Sequence, residues 1–173
     1  TQDYLTEQPL NDTISRRALT SYIESLDPLK YYFDQDDIEE FGAREDDLDN
    51  FLRDGDAEFA HRVFERYLTR LEQRGAVADK WLDAKLDFTV EEWLVTDPEH
   101  TTYADGSAES DDRWRKRIKY DVLNLLANGS TEEEARDRLR KRYRGFRRRM
   151  QRIEPDEVVQ IFISAVTRSF DPH

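Results

Sequence analysis

The residues best able to do chemistry here are carboxylates, and there are too many of them to single out a pair. The 173 residues hold 39 Asp and Glu against 27 Lys and Arg, for a net charge of −12. General acid–base catalysis needs two titratable groups whose surroundings push their pKa values apart. Acidic residues instead recur along almost every polar stretch, as solvated helix faces require. Asp34-Gln35-Asp36-Asp37 begins like a calcium loop, but Glu39 stands at the sixth position, where the turn requires glycine. His61 has no second histidine within ligand spacing, and His100 and His173 are isolated. No metal centre or nucleophilic triad follows from them. The sequence has neither a glycine-rich phosphate loop nor a Gly-x-Ser-x-Gly elbow. It has no cysteine, which excludes thiolate catalysis, disulfides and zinc–thiolate sites. No residue is therefore assigned a catalytic role, and no cofactor or metal is expected.

One charge pattern stands apart. Residues 136–152 contain ten Lys/Arg and one Asp, a local +9 that leaves −21 for the remainder. Phosphate binding by nucleic acid is one use for such a stretch. The competing reading is a solvated face neutralised by the protein's own acids, since the first sixty residues carry 17 Asp/Glu against 5 Lys/Arg. The second reading is preferred, because the only aromatics among the arginines, Tyr143 and Phe146, lie on the apolar seam and are not free to stack bases. Between the two stands a docking surface for an acidic partner protein, with Arg144, Arg147 and Arg148 as candidate contacts.

The elements that must carry these residues read as helices. Six Gly and five Pro are few for the length, while 9 Phe, 8 Tyr and 3 Trp recur at helical spacings. The expected fold is all-α, with about six helices in an irregular antiparallel bundle. Residues 1–10 read as an extended lead-in. Ile14, Leu19, Tyr22, Ile23 and Leu26 share one face of a first helix that must end near Asp27, because the residue before Pro28 is pushed out of the α region. Leu29, Tyr31, Tyr32 and Phe33 follow directly and need burial. Ile38, Phe41, Leu48, Phe51 and Leu52 give a second helix that Gly42 kinks or splits. Phe59 to about Leu86 gives a third of about 28 residues, roughly 42 Å long. The Thr, Val and Trp content of Phe88–Val95 allows a short strand or extended arm, and 97–110 reads as a loop. Trp114, Ile118, Val122, Leu125 and Leu126 face one way on a fourth helix that Asn128-Gly129 ends. Ser130-Thr131-Glu132-Glu133 reads as the capping box of a fifth, on which Ala135, Leu139, Tyr143, Phe146, Met150 and Ile153 form a narrow coiled-coil-like seam. Val158, Val159, Phe162, Val166 and Phe170 are the inner face of a sixth. Ser25-Leu26-Asp27-Pro28 recurs as Ser169-Phe170-Asp171-Pro172, with Leu19, Tyr22 and Leu26 matching Ile163, Val166 and Phe170. No run of about 18 apolar residues exists to span a membrane, and no secretory leader is read at the start.

Several runs carry a resemblance. Pro9-Leu10-Asn11-Asp12, Ile14-Ser15-Arg16-Arg17-Ala18-Leu19, Ser25-Leu26-Asp27-Pro28, Tyr31-Tyr32-Phe33 and Asp36-Asp37-Ile38 resemble the N-terminal region of the bacterial tail-specific proteases, the C-terminal processing peptidases of serine protease family S41. Leu86-Asp87-Phe88-Thr89-Val90, Trp114 through Asp121, Lys141-Arg142-Tyr143 and Phe162 through His173 continue it in order along nearly the whole chain. The resemblance implies a single non-catalytic helical N-terminal domain over 1–173. A PDZ domain and a protease domain with a Ser-Lys dyad are expected beyond 173. It further implies a periplasmic protein that helps to wall the chamber receiving protein substrates and that docks an adaptor lipoprotein. No Ser or Lys here matches the family's catalytic motif.

Overall fold

A computed structural model describes residues 12–44 and 46–171. The expected lead-in over 1–10 and the final Pro172-His173 lie outside the described residues. Within them are seven α-helices and one 3-10 turn: α1 Asp12–Leu26, α2 Gln35–Gly42, α3 Asp46–Asp54, α4 Glu58–Asp83, the turn Pro98–His100, α5 Ser107–Ala127, α6 Glu132–Gln151 and α7 Pro155–Phe170. The all-α expectation holds. The count rises from six to seven because the second helix is split just after Gly42. Glycine lowers helix propensity there by about 1 kcal/mol, and packing on each side is satisfied separately by Phe41 and Leu48.

Two apolar clusters form the core. The first joins α1, α2, α3, α7 and the N-terminal half of α4 around Tyr22, Phe33, Tyr67 and Phe162. The second joins the C-terminal half of α4 to α5 and α6 around Leu82, Trp114, Ile118 and Leu139. α4 belongs to both because its 26 residues reach about 39 Å at 1.5 Å each. It supplies Phe59 to Tyr67 to one cluster and Ala78 and Leu82 to the other. Tyr32 touches both clusters and so bridges them.

The α6 cap lies one residue later than its sequence pattern suggested. Thr131 accepts from the Glu134 amide, and the Glu134 carboxylate accepts from that of Thr131. Phe88–Val95 forms no strand among the described residues, because no second strand lies alongside to take its backbone groups. A side chain serves that role at one point: the nearly buried Lys119 ammonium donates to the Val90 carbonyl at 2.6 Å and to Glu92 at 2.8 Å. Of the segment read as loop, Ser107 onward is already α5. Of the rest, Thr101 and Ala104 are buried and the Gln35 amide donates to the Ala104 carbonyl at 2.9 Å, while 97–100 stay exposed.

The two copies of the repeated motif meet, since α1 packs along α7 and Tyr22 sets its ring edge-on to Phe162 at 5.0 Å. Their environments differ. Leu19, Tyr22 and Leu26 are buried, whereas Ile163 and Phe170 stay 46% and 53% exposed. The inner face of α7 is Val158, Phe162, Ala165 and Val166, and Phe170 is not part of it.

Candidate functional site: the Asp27 turn and the groove beside α6

Pro28 stops α1, and the chain then reverses through Lys30, which takes a left-handed backbone with φ 59°. Such a turn leaves amides without helical partners. The Asp27 carboxylate, 1% exposed, accepts three of them: Tyr31 at 2.9 Å, Tyr32 at 3.1 Å and Phe33 at 2.9 Å. Burial pushes this carboxyl up to about 6, against the three amides and the nearby Arg113 charge, which pull it down. The outward-facing carbonyls of the turn are taken in sequence. Arg113 donates to Lys30 at 2.9 Å, the Trp114 indole to Tyr31 at 3.0 Å, and Arg74 to Tyr32 at 3.3 Å. The turn is thus pinned by α4 and α5 from outside and by its own aspartate from within.

Beyond the turn, Asp37 is fully buried at the start of α2 and receives Arg66 at 2.6 Å and Arg70 at 2.8 Å from α4. Burial alone would raise its carboxyl, but the two guanidinium groups outweigh that and hold it below the usual range. On the other side Asp121 of α5 accepts the Tyr143 hydroxyl of α6 and pairs with Arg117 at 3.3 Å. The sequence alone did not pick out Asp27, Asp37 or Asp121 from thirty-nine acids. The signal available was the Asp-Pro stop followed by an aromatic block, and the Asp34-x-x-Asp37 spacing.

Between the turn and α6 lies a groove of about 520 Å³. Its walls are Leu26, Tyr31, Tyr32 and Trp114 on one side, and Tyr143, Phe146, Met150 and Ile153 on the other. Arg117, Arg142 and Arg149 rim it. The Tyr67 hydroxyl in its wall is buried without a hydrogen-bond partner.

The basic stretch divides by face. Arg136 donates to the Leu82 and Ala84 carbonyls at 2.8 Å each, capping the end of α4, where orphan carbonyls concentrate negative potential. Arg140 pairs with Asp83 at 2.7 Å, Arg144 with Asp79 at 3.5 Å, and Arg147 with Asp79 at 2.9 Å. Of the three candidate docking residues, Arg144 and Arg147 therefore face α4, while Arg148 is exposed and has no ion pair among the described residues. This spending of arginines on α4 accords with the intramolecular reading of the basic helix.

No group of three His, Asp or Glu among the described residues is placed to hold a metal ion. His100 pairs locally with Asp97 at 2.5 Å, and His61 lies half-buried on α4. The buried acids Asp27, Asp34, Asp37 and Asp121 and the buried bases Arg74 and Lys119 each make a backbone or interhelical contact.

Comparison with known proteins places this geometry. Residues 1–173 match the family model described as the tail specific protease N-terminal domain. The tail-specific protease of Haemophilus influenzae is 29% identical over 177 residues, which cover 100% of this chain and 25% of that protein. The chain thus spans a quarter of the length of the larger protease that it matches. With its match running from Thr1 to His173, the chain belongs to the tail-specific protease N-terminal domain family.

Proposed function

We propose that this chain is the non-catalytic helical domain of a periplasmic tail-specific serine protease, that it helps to wall the chamber receiving protein substrates, and that it docks an adaptor. The observation that carries the reading is the whole-length family match, on a helical scaffold whose buried acids hold the Asp27 turn and tie neighbouring helices together. The PDZ and Ser-Lys protease domains belong to the rest of the parent protein, beyond residue 173. The exposed arginine face of α6, Arg148 included, is the candidate surface for the adaptor. No described helix is long and apolar enough to cross a membrane.

The test uses purified 1–173 and the parent protease with and without this region. The isolated chain is expected to show helical circular dichroism and to leave an unfolded protein substrate intact. Removal of the region is expected to weaken capture of protein substrates while a short peptide is still cleaved. Cleavage by the isolated chain, or unchanged protein degradation after its removal, overturns the reading.

A further inference from the structure

The seam on α6 is filled along only half its length. Ala135 and Leu139 are fully buried against α4 and α5, whereas Tyr143, Phe146, Met150 and Ile153 are half-buried and line the groove. Steps of 3, 4 and 3 place these four at alternating a and d positions of a heptad. In that register Arg140 and Arg147 are e residues, and Arg142 and Arg149 are g residues. The e edge is satisfied internally, by Asp83 at 2.7 Å and Asp79 at 2.9 Å on α4. The g edge is not. Arg142 and Arg149 rim the groove and have no ion pair among the described residues. Flanking e and g charges are what select a partner helix.

The groove's hydrogen-bonding inventory narrows the occupant further. Asp27 is spent on three amides, the Tyr31 carbonyl on Trp114 and the Tyr32 carbonyl on Arg74, which leaves the Tyr31 and Tyr67 hydroxyls as wall atoms without a partner. Two hydroxyls cannot serve the run of backbone N–H and C=O groups that an extended peptide would bury there. A helix brings its backbone already satisfied. The open part of the seam within α6, Tyr143 to Met150, is about 10 Å long at 1.5 Å per residue, about two turns, and Ile153 extends it just past the helix end.

We infer that the groove seats an amphipathic helix, apolar on one stripe and acidic along its flanks, with glutamates or aspartates meeting Arg142 and Arg149. This goes beyond the protease reading and does not depend on it. The fit is of the helix-in-groove kind, with anchors at i, i+3 or i+4, and i+7.

The test titrates 1–173 with a fluorescently labelled helical peptide of about three heptads, carrying leucines at a and d and glutamates at e and g. A twin peptide carries lysines at e and g, and dodecanoate serves as the probe for a small amphipathic anion. The glutamate peptide is expected to bind at least about tenfold tighter than the lysine twin, about 1.4 kcal/mol, because its flanks attract the two arginines that the lysine flanks repel. In R142E/R149E, whose folding is checked by circular dichroism, the preference reverses. Lys141→Glu, on the outer face, leaves it in place. Equal binding of both peptides, an unreversed preference in the double variant, binding of dodecanoate alone, or no peptide binding at 1 mM (roughly 4 kcal/mol) overturns the inference.

Discussion

Replacing Asp27 with alanine probes the turn on which both core clusters depend. In its protonated form the wild-type carboxyl still receives the Tyr31, Tyr32 and Phe33 amides at 2.9, 3.1 and 2.9 Å. Alanine leaves those three amides buried without a partner, at about 1–3 kcal/mol each, so a total near 4 kcal/mol is expected at pH 4. The ionised wild type is worse placed. Burial raises the carboxyl from 3.8 to about 6, and a shift of about two pKa units corresponds to about 3 kcal/mol. The folded state holds the proton more tightly than the unfolded chain. The associated stability is therefore fully present below about pH 4 and is lost as pH rises through about 6. The wild-type advantage over D27A should shrink from about 4 kcal/mol at pH 4 to about 1 kcal/mol at pH 7.5. Urea unfolding followed by circular dichroism, run on both proteins at six pH values, reads this difference directly. Titration of all other groups cancels in the subtraction. A gap that stays constant, or that widens with pH, would refute the reasoning, because it would mean that the three amides overcome burial and hold the carboxylate charged.

Gly75 sits inside α4 because the Arg147 side chain lies across it, and an added Cβ would meet that guanidinium at 2.3 Å. G75A should therefore cost about 1 kcal/mol by displacing Arg147 from Asp79, yet stabilise by about 1 kcal/mol in an R147A background, where only helix propensity remains. A double-mutant cycle by thermal unfolding checks the change of sign. Asp37→Asn should lose about 2 kcal/mol, since Arg66 and Arg70 are left without their buried counter-charge and are themselves partly exposed. Because the Asp37 carboxyl is held low, its contribution should be fully present above about pH 4 and be lost as the pH falls further, through its lowered folded-state value, in the wild type. Lys119→Met should free the Phe88–Val95 arm from α5. Faster amide exchange confined to that arm, with little change in the melting temperature, is the expected readout.

Much of the fold could be read directly from residue order. Three- and four-residue apolar steps marked each helix, Asp27-Pro28 and Asn128-Gly129 marked two ends, and the aromatic block after Pro28 announced that the chain must turn inward there. Periodicity encodes which face of a helix is apolar, and stop signals act within a few residues, so both survive in one dimension. The family likeness was also carried by linear runs. What no linear pattern contained was the pairing of charges. Asp27, Asp37 and Asp121 resemble every other acid in the sequence until folding removes water from them and sets amides, guanidinium groups and a tyrosine hydroxyl around them. Phe170 continued the step of α7 correctly yet lies exposed, because burial depends on what packs against a face as well as on its period. Likewise ten basic residues on one helix looked alike, and only the arrival of α4 beside α6 separated Arg140 and Arg147, held by its carboxylates, from Arg142 and Arg149, which line a groove. Local sequence determined the helices. The long-range juxtaposition of α1, α4, α5 and α6 decided which of their charges are structural and which remain available, since electrostatic environment depends on distance in space rather than on separation along the chain.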